Sequence, residues 1–379
     1  MKIGIIGKPN AGKTTFFKAL TLIDAKIANF PFTTISPNIG YGFVRVDCIE
    51  KEFNVKCNPK SGFCIEGKRF IPVELIDVAG LVPGAHLGKG MGNKFLNDLM
   101  QASCLIHVVD ASGTTDEEGK ECSAHNPMKD VEFLEVELDK WFFSILERNW
   151  KKINKKEDIA KNLSGLGANM KEINEVIREL NLDENINKWK ENERFNFSRK
   201  LREKVKPILI AANKIDKKEA DRWIDKLIKI GAVPCSGEAE LALRMAAKKN
   251  LIKYIPGDGD FEIIGNLDER QVEVLNKIKA LLKKYGSTGL QKALNKAVFE
   301  ILNYLVVYPV SKNLRDKEGN ILPDAFLMPP NSTALDLAYK IHKDLGDKFI
   351  SAINLRTNQR LGRDYKLKNN DVIEIIFKK

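Results

Sequence analysis

The sequence contains no apolar run long enough to cross a bilayer, which excludes a membrane-spanning helix. Six cysteines in 379 residues are too few for a disulfide-stabilised scaffold, and we expect them to be free thiols. Only four histidines are present, and we assign no catalytic role to His86, His107 or His125, although His86 could orient a water. Acidic residues are in the minority, since 51 Asp and Glu stand against 62 Lys and Arg.

The resulting net charge of +11 favours an acidic partner. RNA fits better than a membrane surface, because no basic amphipathic helix is evident. Met1 and Lys2 lead directly into an apolar strand pattern, so we expect no signal peptide and a cytoplasmic protein. The length is sufficient for two or three domains, and the sequence does not indicate an oligomeric state.

Residues 7–14, Gly-Lys-Pro-Asn-Ala-Gly-Lys-Thr, match the phosphate-binding pattern G-x-x-x-x-G-K-[ST]. A strand pattern precedes them and a helical pattern follows, so the loop amides and the positive end of the helix would face a bound phosphate. Lys13 would reach the β- and γ-phosphates, and the Thr14 hydroxyl would bind Mg²⁺. The predicted nucleotide-binding residues of this loop are Asn10, Ala11, Gly12, Lys13, Thr14 and Thr15.

A second motif, D-x-x-G at residues 77–80, ends another apolar strand pattern. Because the carboxyl ends of parallel strands share one sheet edge, Asp77 would lie beside the phosphate loop and hold Mg²⁺ through water. The Gly80 N–H would sense the γ-phosphate. Thr34, or less plausibly Thr33, would bind the metal in the triphosphate state and release its loop on hydrolysis. The alternative for these threonines is ordinary helix capping.

The third motif, Asn213-Lys214-Ile215-Asp216, follows the apolar run 207–212. The Asp216 carboxylate can accept two hydrogen bonds from guanine, which adenine cannot donate, so it would select GTP. Asn213 and Lys214 would brace the loops around the base.

A further pair, Ser236 and Gly237, follows a strand-like stretch and would close over the purine. With this pair the sequence predicts a complete guanine-nucleotide pocket, from the phosphates to the base.

These motifs carry a family resemblance. The stretches GKPNAGKTTFFKAL, NFPFTTISPNIG and DVAGLVPGAHLGKGMGNKFL resemble the Obg family of translation-associated GTPases, most of all its YchF-like and developmentally regulated GTP-binding branches. The resemblance covers residues 1–112 and 205–240, and it implies an α/β P-loop NTPase domain with a doubly wound sheet. YchF-like members have lost N-K-x-D and prefer ATP, whereas this chain keeps Asp216, so we expect GTP.

Leu81 stands where Ras-like enzymes carry a water-orienting glutamine, and leucine cannot hydrogen-bond a water. We therefore expect slow intrinsic hydrolysis. In related GTPases an Asn at the position of Asn10 helps to bind K⁺, which supplies positive charge to the transition state. An equally good interpretation is that Asn10 only caps the loop.

The distance between Asp77 and Asn213 leaves room for an insertion of roughly 80 residues beyond a minimal nucleotide-binding domain. Charged residues with helical periodicity predict an antiparallel helix pair there, and its basic excess makes it a candidate ribosomal RNA contact. The predicted order is a GTPase domain at 1–114 and 205–260, a helical insertion at 115–204, a helical region at 261–303 and a C-terminal domain at 304–379.

Within the C-terminal domain, strand patterns surround a helix pattern at 334–342 with Ser332 or Thr333 as its cap, which fits a β-grasp fold. The stretch PPNSTALDLAYKIHKDLGDKF resembles the TGS domain shared by threonyl-tRNA synthetases, GTPases of this family and SpoT-like proteins. The resemblance implies an interaction module, often toward RNA or ribosomes, without catalysis.

Cys48, Cys57 and Cys64 lie in one segment with the spacing C-x₈-C-x₆-C. A structural zinc site needs a fourth ligand and usually a tight cysteine pair, and the sequence pattern shows neither. We favour free thiols in a hairpin loop, with zinc as the alternative.

Together the patterns predict a switch that hydrolyses GTP to GDP slowly with Mg²⁺, and with K⁺ as an open option, on ribosomes or RNA. Two alternatives remain open. One is an RNA- or ribosome-binding regulatory module with incidental turnover, and the other is a YchF-like ATPase. Neither the exact partner nor the pathway follows from the sequence.

Overall fold

A computed structural model describes residues 1–22, 38–78, 98–316 and 318–378. Thr33, Thr34, Gly80, Leu81 and His86 therefore lie outside the described residues. The chain divides into two compact units. The first contains the described residues of Met1–Leu20, Ser36–Gly40 and Glu74–Ala293, and the second those of Thr21–Ile35, Tyr41–Val73 and Leu294–Lys379.

The chain alternates strands and helices in its first part and returns to strands at its end. The strands are β1 (Lys2–Ile6), β2 (Ile39–Asp47), β3 (Phe63–Ile65), β4 (Lys68–Asp77), β5 (Cys104–Asp110), β6 (Ile208–Asn213), β7 (Val233–Pro234), β8 (Ile252–Lys253), β9 (Glu262–Ile263), β10 (Leu305–Pro309), β11 (Phe326–Met328), β12 (Phe349–Asn354), β13 (Gln359–Leu361) and β14 (Asp371–Phe377). The helices are α1 (Lys13–Thr21), α2 (Pro127–Asn149), α3 (Lys156–Leu163), α4 (Met170–Glu179), α5 (Glu191–Val205), α6 (Ile224–Lys229), α7 (Gly237–Lys248), α8 (Glu269–Tyr285), α9 (Leu290–Asn295), α10 (Ala334–Ile341) and α11 (Lys343–Asp347), with a π-helical turn at Lys296–Ile301.

The main sheet has the strand order β2-β4-β1-β5-β6-β7, and β1 pairs in parallel with both β4 and β5. Every residue of β5 is buried, as expected of a central strand covered on both faces. The register aligns Ile5 with Asp77, and Asp110 with Asn213. Because these strands are parallel, their carboxyl ends and the loops that follow them meet at one edge of the sheet.

The insertion between β5 and β6 contains four α-helices, so the prediction of a single helix pair is wrong. Gly167, which has a left-handed φ of 89°, ends the 3₁₀ turn Ser164–Leu166 before helix α4 begins. Phe142 of α2 and Leu201 of α5 belong to the same buried cluster as Ile6 and Leu105 of the sheet. The insertion therefore packs on the sheet and helps to bury its face.

The second unit contains a five-stranded sheet of order β11-β10-β14-β12-β13, in which β10 and β14 are parallel. Helix α10 packs on this sheet through Leu337, which shares a buried cluster with Val307 and Ile373. Of the two predicted caps, Ser332 and Thr333, Thr333 caps α10, and it also forms a capping box with Asp336. This is the expected β-grasp architecture.

Residues 41–73 belong to the same compact unit as this C-terminal sheet. Strands β3 and β4 form an antiparallel hairpin there, and the rings of Phe63 and Phe70 stack across it with centroids 4.5 Å apart. In the part of the chain that the structure describes, no helix is both long enough and apolar enough to span a membrane.

Candidate nucleotide-binding site

The loop between β1 and α1 has the backbone that its glycines permit. Gly7 and Gly12 have φ values of 155° and 91°. A Cβ at Gly12 would lie 2.4 Å from Nδ2 of Asn213, and one at Gly7 would lie 2.3 Å from the carbonyl of Val108. Only glycine fits both positions, because neighbouring groups leave no room and the conformations are strained for other residues. Ala11 is fully buried between them.

Lys13 and Asp77 interact electrostatically near the phosphate loop. Burial lowers the pKa of Lys13, and the charge of Asp77 partly opposes this. Burial likewise raises the pKa of Asp77, and Lys13 opposes that shift. The Lys13 ammonium donates to the carbonyl of Lys8 at 3.3 Å, a long hydrogen bond that a phosphate oxygen could replace.

Thr14 is exposed in the first turn of α1, and Thr15 is half-buried beside it. The Thr14 hydroxyl and the Asp77 carboxylate are oxygen donors, the ligand type that Mg²⁺ prefers. The donor chemistry of this corner therefore fits a magnesium ion. The other predicted metal ligand, Thr34, and the γ-phosphate sensor Gly80 lie outside the described residues.

Asn213 connects three loops with one buried side chain. Its Nδ2 donates to the carbonyl of Ala11 at 2.9 Å, and its Oδ1 accepts from the N–H of Gly237 at 2.9 Å. The amide therefore positions the phosphate loop, the end of β6 and the start of α7 relative to one another. Both of its polar atoms are used in these contacts, so the side chain of Asn213 is fixed in place.

Asp216 is exposed, and one carboxylate oxygen accepts a 2.6 Å hydrogen bond from the Ser236 hydroxyl. Ser236 is fully buried, and its hydroxyl also caps α7 by accepting from Ala239 N. The carboxylate is thus oriented from one side by a fixed donor. Asp216 and the Ser236–Gly237 pair, predicted to surround the base, lie together in the structure.

Three domain families match the chain. Residues 2–137 match a family described as 50S ribosome-binding GTPase, 211–312 an Obg-like GTPase YGR210-like, G4 motif-containing domain, and 318–377 the TGS domain. An uncharacterised GTP-binding protein of Methanocaldococcus jannaschii is 49% identical over 390 residues, with 99% of this chain and 98% of that protein covered. The chain belongs to the Obg-like family of GTP-binding proteins. The predicted family and the TGS domain are confirmed.

Other relatives of this Obg-like protein are covered over nearly their whole length. A solved GTP-binding protein from Pyrococcus horikoshii OT3 is 38% identical, with a TM-score of 0.79 and full coverage of both chains. A Buchnera aphidicola protein named ribosome-binding ATPase YchF is 27% identical over 99% of both chains. The solved YchF GTPase of Schizosaccharomyces pombe shares the fold, with a TM-score of 0.58 at 19% identity over 99% of this chain and 97% of that chain.

Sequence reasoning missed Asp110 in this Obg-like protein, although it ends an apolar strand just as Asp77 does. Its buried carboxylate accepts hydrogen bonds from Lys214 Nζ at 2.8 Å and from the Thr115 hydroxyl at 2.7 Å. Burial raises the pKa of Asp110, but the hydrogen bonds from Lys214, Ser112 and Thr115 outweigh it and hold the pKa below its usual value. Asp110 therefore positions Lys214 of the base-recognition motif, whose φ of 67° is left-handed.

A set of contacts that the sequence did not reveal involves Lys8 of the phosphate loop. Lys8 is buried and pairs with Asp130 at 2.8 Å, and its Nζ also donates to the carbonyl of Thr115 at 2.7 Å. His125 lies 2.7 Å from the other oxygen of Asp130. Asn10, with φ of 58°, donates from Nδ2 to the carbonyl of Gly119 at 2.9 Å, which leaves its Oδ1 as the candidate K⁺ ligand.

His107 is buried in β5, and its Nδ1 has no hydrogen-bond partner among the residues that the structure describes. Burial, followed by the charges of Lys8 and Lys13, lowers the pKa of His107 to about 3. The ring is therefore neutral at physiological pH. It lies in the core with one ring nitrogen unsatisfied among the described residues.

We predict that acidification destabilises the protein through His107. In an unfolded chain a histidine has a pKa of about 6.5, so between that value and about 3 only the unfolded state takes up the proton. Stability is complete above this window and is lost as the pH falls, by about 2 kcal/mol at about pH 5 from this group alone. Urea unfolding of wild type and His107→Gln at about pH 5 and about pH 8 measures the effect. An equal pH dependence in both proteins would contradict the prediction.

Proposed function

We propose that this Obg-like protein binds GTP and hydrolyses it to GDP and phosphate. The observation that carries the proposal is the exposed Asp216 carboxylate, oriented by Ser236 at 2.6 Å. A carboxylate at this place can accept from both the ring N–H and the exocyclic amine of guanine. Adenine has no N–H at ring position N1 and no amine at C2, so it cannot donate these two hydrogen bonds to the carboxylate. Hydrogen bonding would therefore distinguish the two bases.

In the proposed reaction, water attacks the γ-phosphate in line with the leaving oxygen. Lys13 and the backbone amides of Asn10, Ala11 and Gly12 would neutralise charge that develops on the phosphates. Thr14 and Asp77 would hold Mg²⁺, which supplies further positive charge to the phosphate oxygens when it is bound.

Thr34 as a further metal ligand and Gly80 as a γ-phosphate sensor remain proposals, because both lie outside the described residues. So does K⁺ binding at Asn10. With leucine at position 81, we propose a slow intrinsic rate and name no general base.

We further propose that the ribosome or its RNA is the partner on which the nucleotide state acts. The support is the family description of residues 2–137 as a 50S ribosome-binding GTPase, the name of the Buchnera relative and the net charge of +11. The TGS domain and the helical insertion are the proposed contacts, because the insertion has an excess of basic residues and the TGS domain is an interaction module in the families it resembles.

Two measurements test the function. Displacement of labelled GDP should need about 10⁴-fold more ATP than GTP, because adenine cannot make the hydrogen bonds that guanine makes with the base site. Equal displacement by ATP would instead support an ATPase like the YchF relative.

In the second measurement, single-turnover hydrolysis should be faster with ribosomes than without them. Unchanged turnover, with RNA affinity that only follows the bound nucleotide, would identify a regulatory module with incidental hydrolysis.

A further inference from the structure

Three of the six cysteines meet at one point in the second unit. Cys48 and Cys57 are buried and their Sγ atoms lie 3.6 Å apart. Cys64 Sγ lies 3.8 Å from Oε1 of Glu50. These four ligand atoms are all within 4.8 Å of one another. The spacing of the two sulfurs is far longer than a disulfide bond, which is about 2.05 Å, so the thiols are free.

The four side chains come from different parts of the hairpin region. Cys48 directly follows β2, and its N–H donates to the carbonyl of Gly67 at 2.8 Å. Cys64 lies on β3, and Cys57 lies in the loop between them. Because Gly67 has a left-handed φ of 78°, the β3–β4 turn folds back and places its carbonyl against Cys48.

Glu50 is the fourth ligand that the sequence spacing did not reveal. Its Oε2 accepts a hydrogen bond from the backbone N–H of Cys57 at 2.9 Å, which leaves Oε1 directed toward the thiols. The chain therefore orients the carboxylate before any ion arrives, as outer hydrogen bonds do in metal sites. When glutamate is counted as a ligand together with cysteine, the sequence shows the four-ligand pattern C-x-E-x₆-C-x₆-C.

A buried cation and a buried hydroxyl flank the cluster. Arg69, which pairs with Cys64 across the hairpin, is 0% exposed, and its Nε has no hydrogen-bond partner among the described residues. The hydroxyl of Tyr308, also 0% exposed, likewise has none within the described ranges. A buried cation beside the sulfurs is the environment in which thiolates are stable.

We propose that Cys48, Glu50, Cys57 and Cys64 form a structural Zn²⁺ site. Zinc takes thiolate and carboxylate ligands in a tetrahedron, and a Zn–S distance of about 2.3 Å gives S–S edges of about 3.8 Å, close to the 3.6 Å between the sulfurs of Cys48 and Cys57. Four protein ligands leave no open position, which is typical of a structural site. Three thiolates and a carboxylate around Zn²⁺ carry net negative charge, and the Arg69 guanidinium offsets part of it.

Residues close to the cluster hydrogen-bond to the C-terminal segment of the same unit. The backbone N–H groups of Asn58 and Lys60 donate to the carbonyls of Ile321 and Pro323 at 2.8 and 2.9 Å. Arg69 donates to the carbonyls of Leu322 and Pro323 at 3.0 and 3.1 Å. An ion at the cluster therefore fixes the loop that pairs with the C-terminal segment, and holds these two distant parts of the chain together.

Metal analysis of the full-length protein tests the site. After reconstitution with Zn²⁺ and gel filtration, mass spectrometry should find about one zinc per chain in the wild type and less than about a tenth as much in Cys57→Ser. Cys122→Ser is the matched control, because Cys122 is a half-buried thiol outside the cluster, and it should keep its zinc. Glu50→Gln should retain three thiolates but bind zinc at least about 10-fold more weakly.

A measurement on the unaltered chain does not depend on how the variants fold. Zinc should protect Cys48, Cys57 and Cys64 from alkylation, and a chelator should remove that protection, while Cys122 reacts equally in both states. Substitution with Co²⁺ should give thiolate charge-transfer bands and the visible bands of a tetrahedral ion. Three results would each overturn the proposal. They are an equal zinc content in the wild type and Cys57→Ser, a Cys48–Cys57 disulfide in the purified protein, and alkylation of the three cysteines at the same rate with and without zinc.

Discussion

Lys13→Ala is expected to lower the rate of GTP hydrolysis by about 10²- to 10³-fold, since each preorganised donor to a developing negative charge contributes about that much. Lys13 is the cation at the mouth of the phosphate loop, and its charge faces Asp77. Without it, the γ-phosphate would lose its direct protein cation, and Asp77 would lose the charge that opposes its raised pKa. Single-turnover hydrolysis with saturating nucleotide measures the loss separately from any change in affinity.

The matched control is Lys18→Ala, which removes the same charge from an exposed position on the same helix. It should leave hydrolysis within about twofold of the wild type, because screening weakens the effect of a distant surface charge. If both variants lost activity equally, the effect would come from net charge or from the stability of α1. Lys13 would then have no special place in the site.

Asp216→Asn is expected to move base preference from guanine toward xanthine. The substitution replaces an acceptor with a donor opposite the base, so the two hydrogen bonds with guanine become unfavourable, while the oxygen of xanthine at the same place becomes a partner. Loss of a charged hydrogen-bonding partner costs about 2–5 kcal/mol, or roughly 30- to 5,000-fold in the Kd for GDP. Calorimetric titration with GDP and XDP measures both changes.

Asp225→Asn, on an exposed position of α6, is the control for the loss of one negative charge. It should bind GDP as the wild type does. Ser236→Ala tests the second element of the proposal, because it removes the 2.6 Å hydrogen bond that orients the carboxylate while keeping its charge. Unchanged guanine preference in Asp216→Asn would show that another group reads the base.

The phosphate loop, the N-K-x-D motif and the capped helix α10 were predictable because each depends on residues that are close in sequence. A strand, a tight turn and a helix start follow from local pattern and glycine geometry, so β1 and α1 lie where the sequence placed them. Thr333 and Asp336 form a capping box for the same reason. Helix number in the insertion was less predictable, because the turns at Gly167 and Asn169 interrupt a pattern that stays amphipathic on both sides.

Local pattern thus predicted which loops would contact a phosphate and a base, because strand, turn and helix signals extend over about ten residues. Only tertiary structure decided what holds those loops together. Asn213 meets Ala11 across 202 positions, and Lys214 meets Asp110 across 104. The Glu50 carboxylate lies within 4.8 Å of three cysteine sulfurs, and Arg69 of the neighbouring hairpin donates to the carbonyl of Pro323. Contacts of this kind arise from how the chain packs, and no spacing along the sequence encodes them.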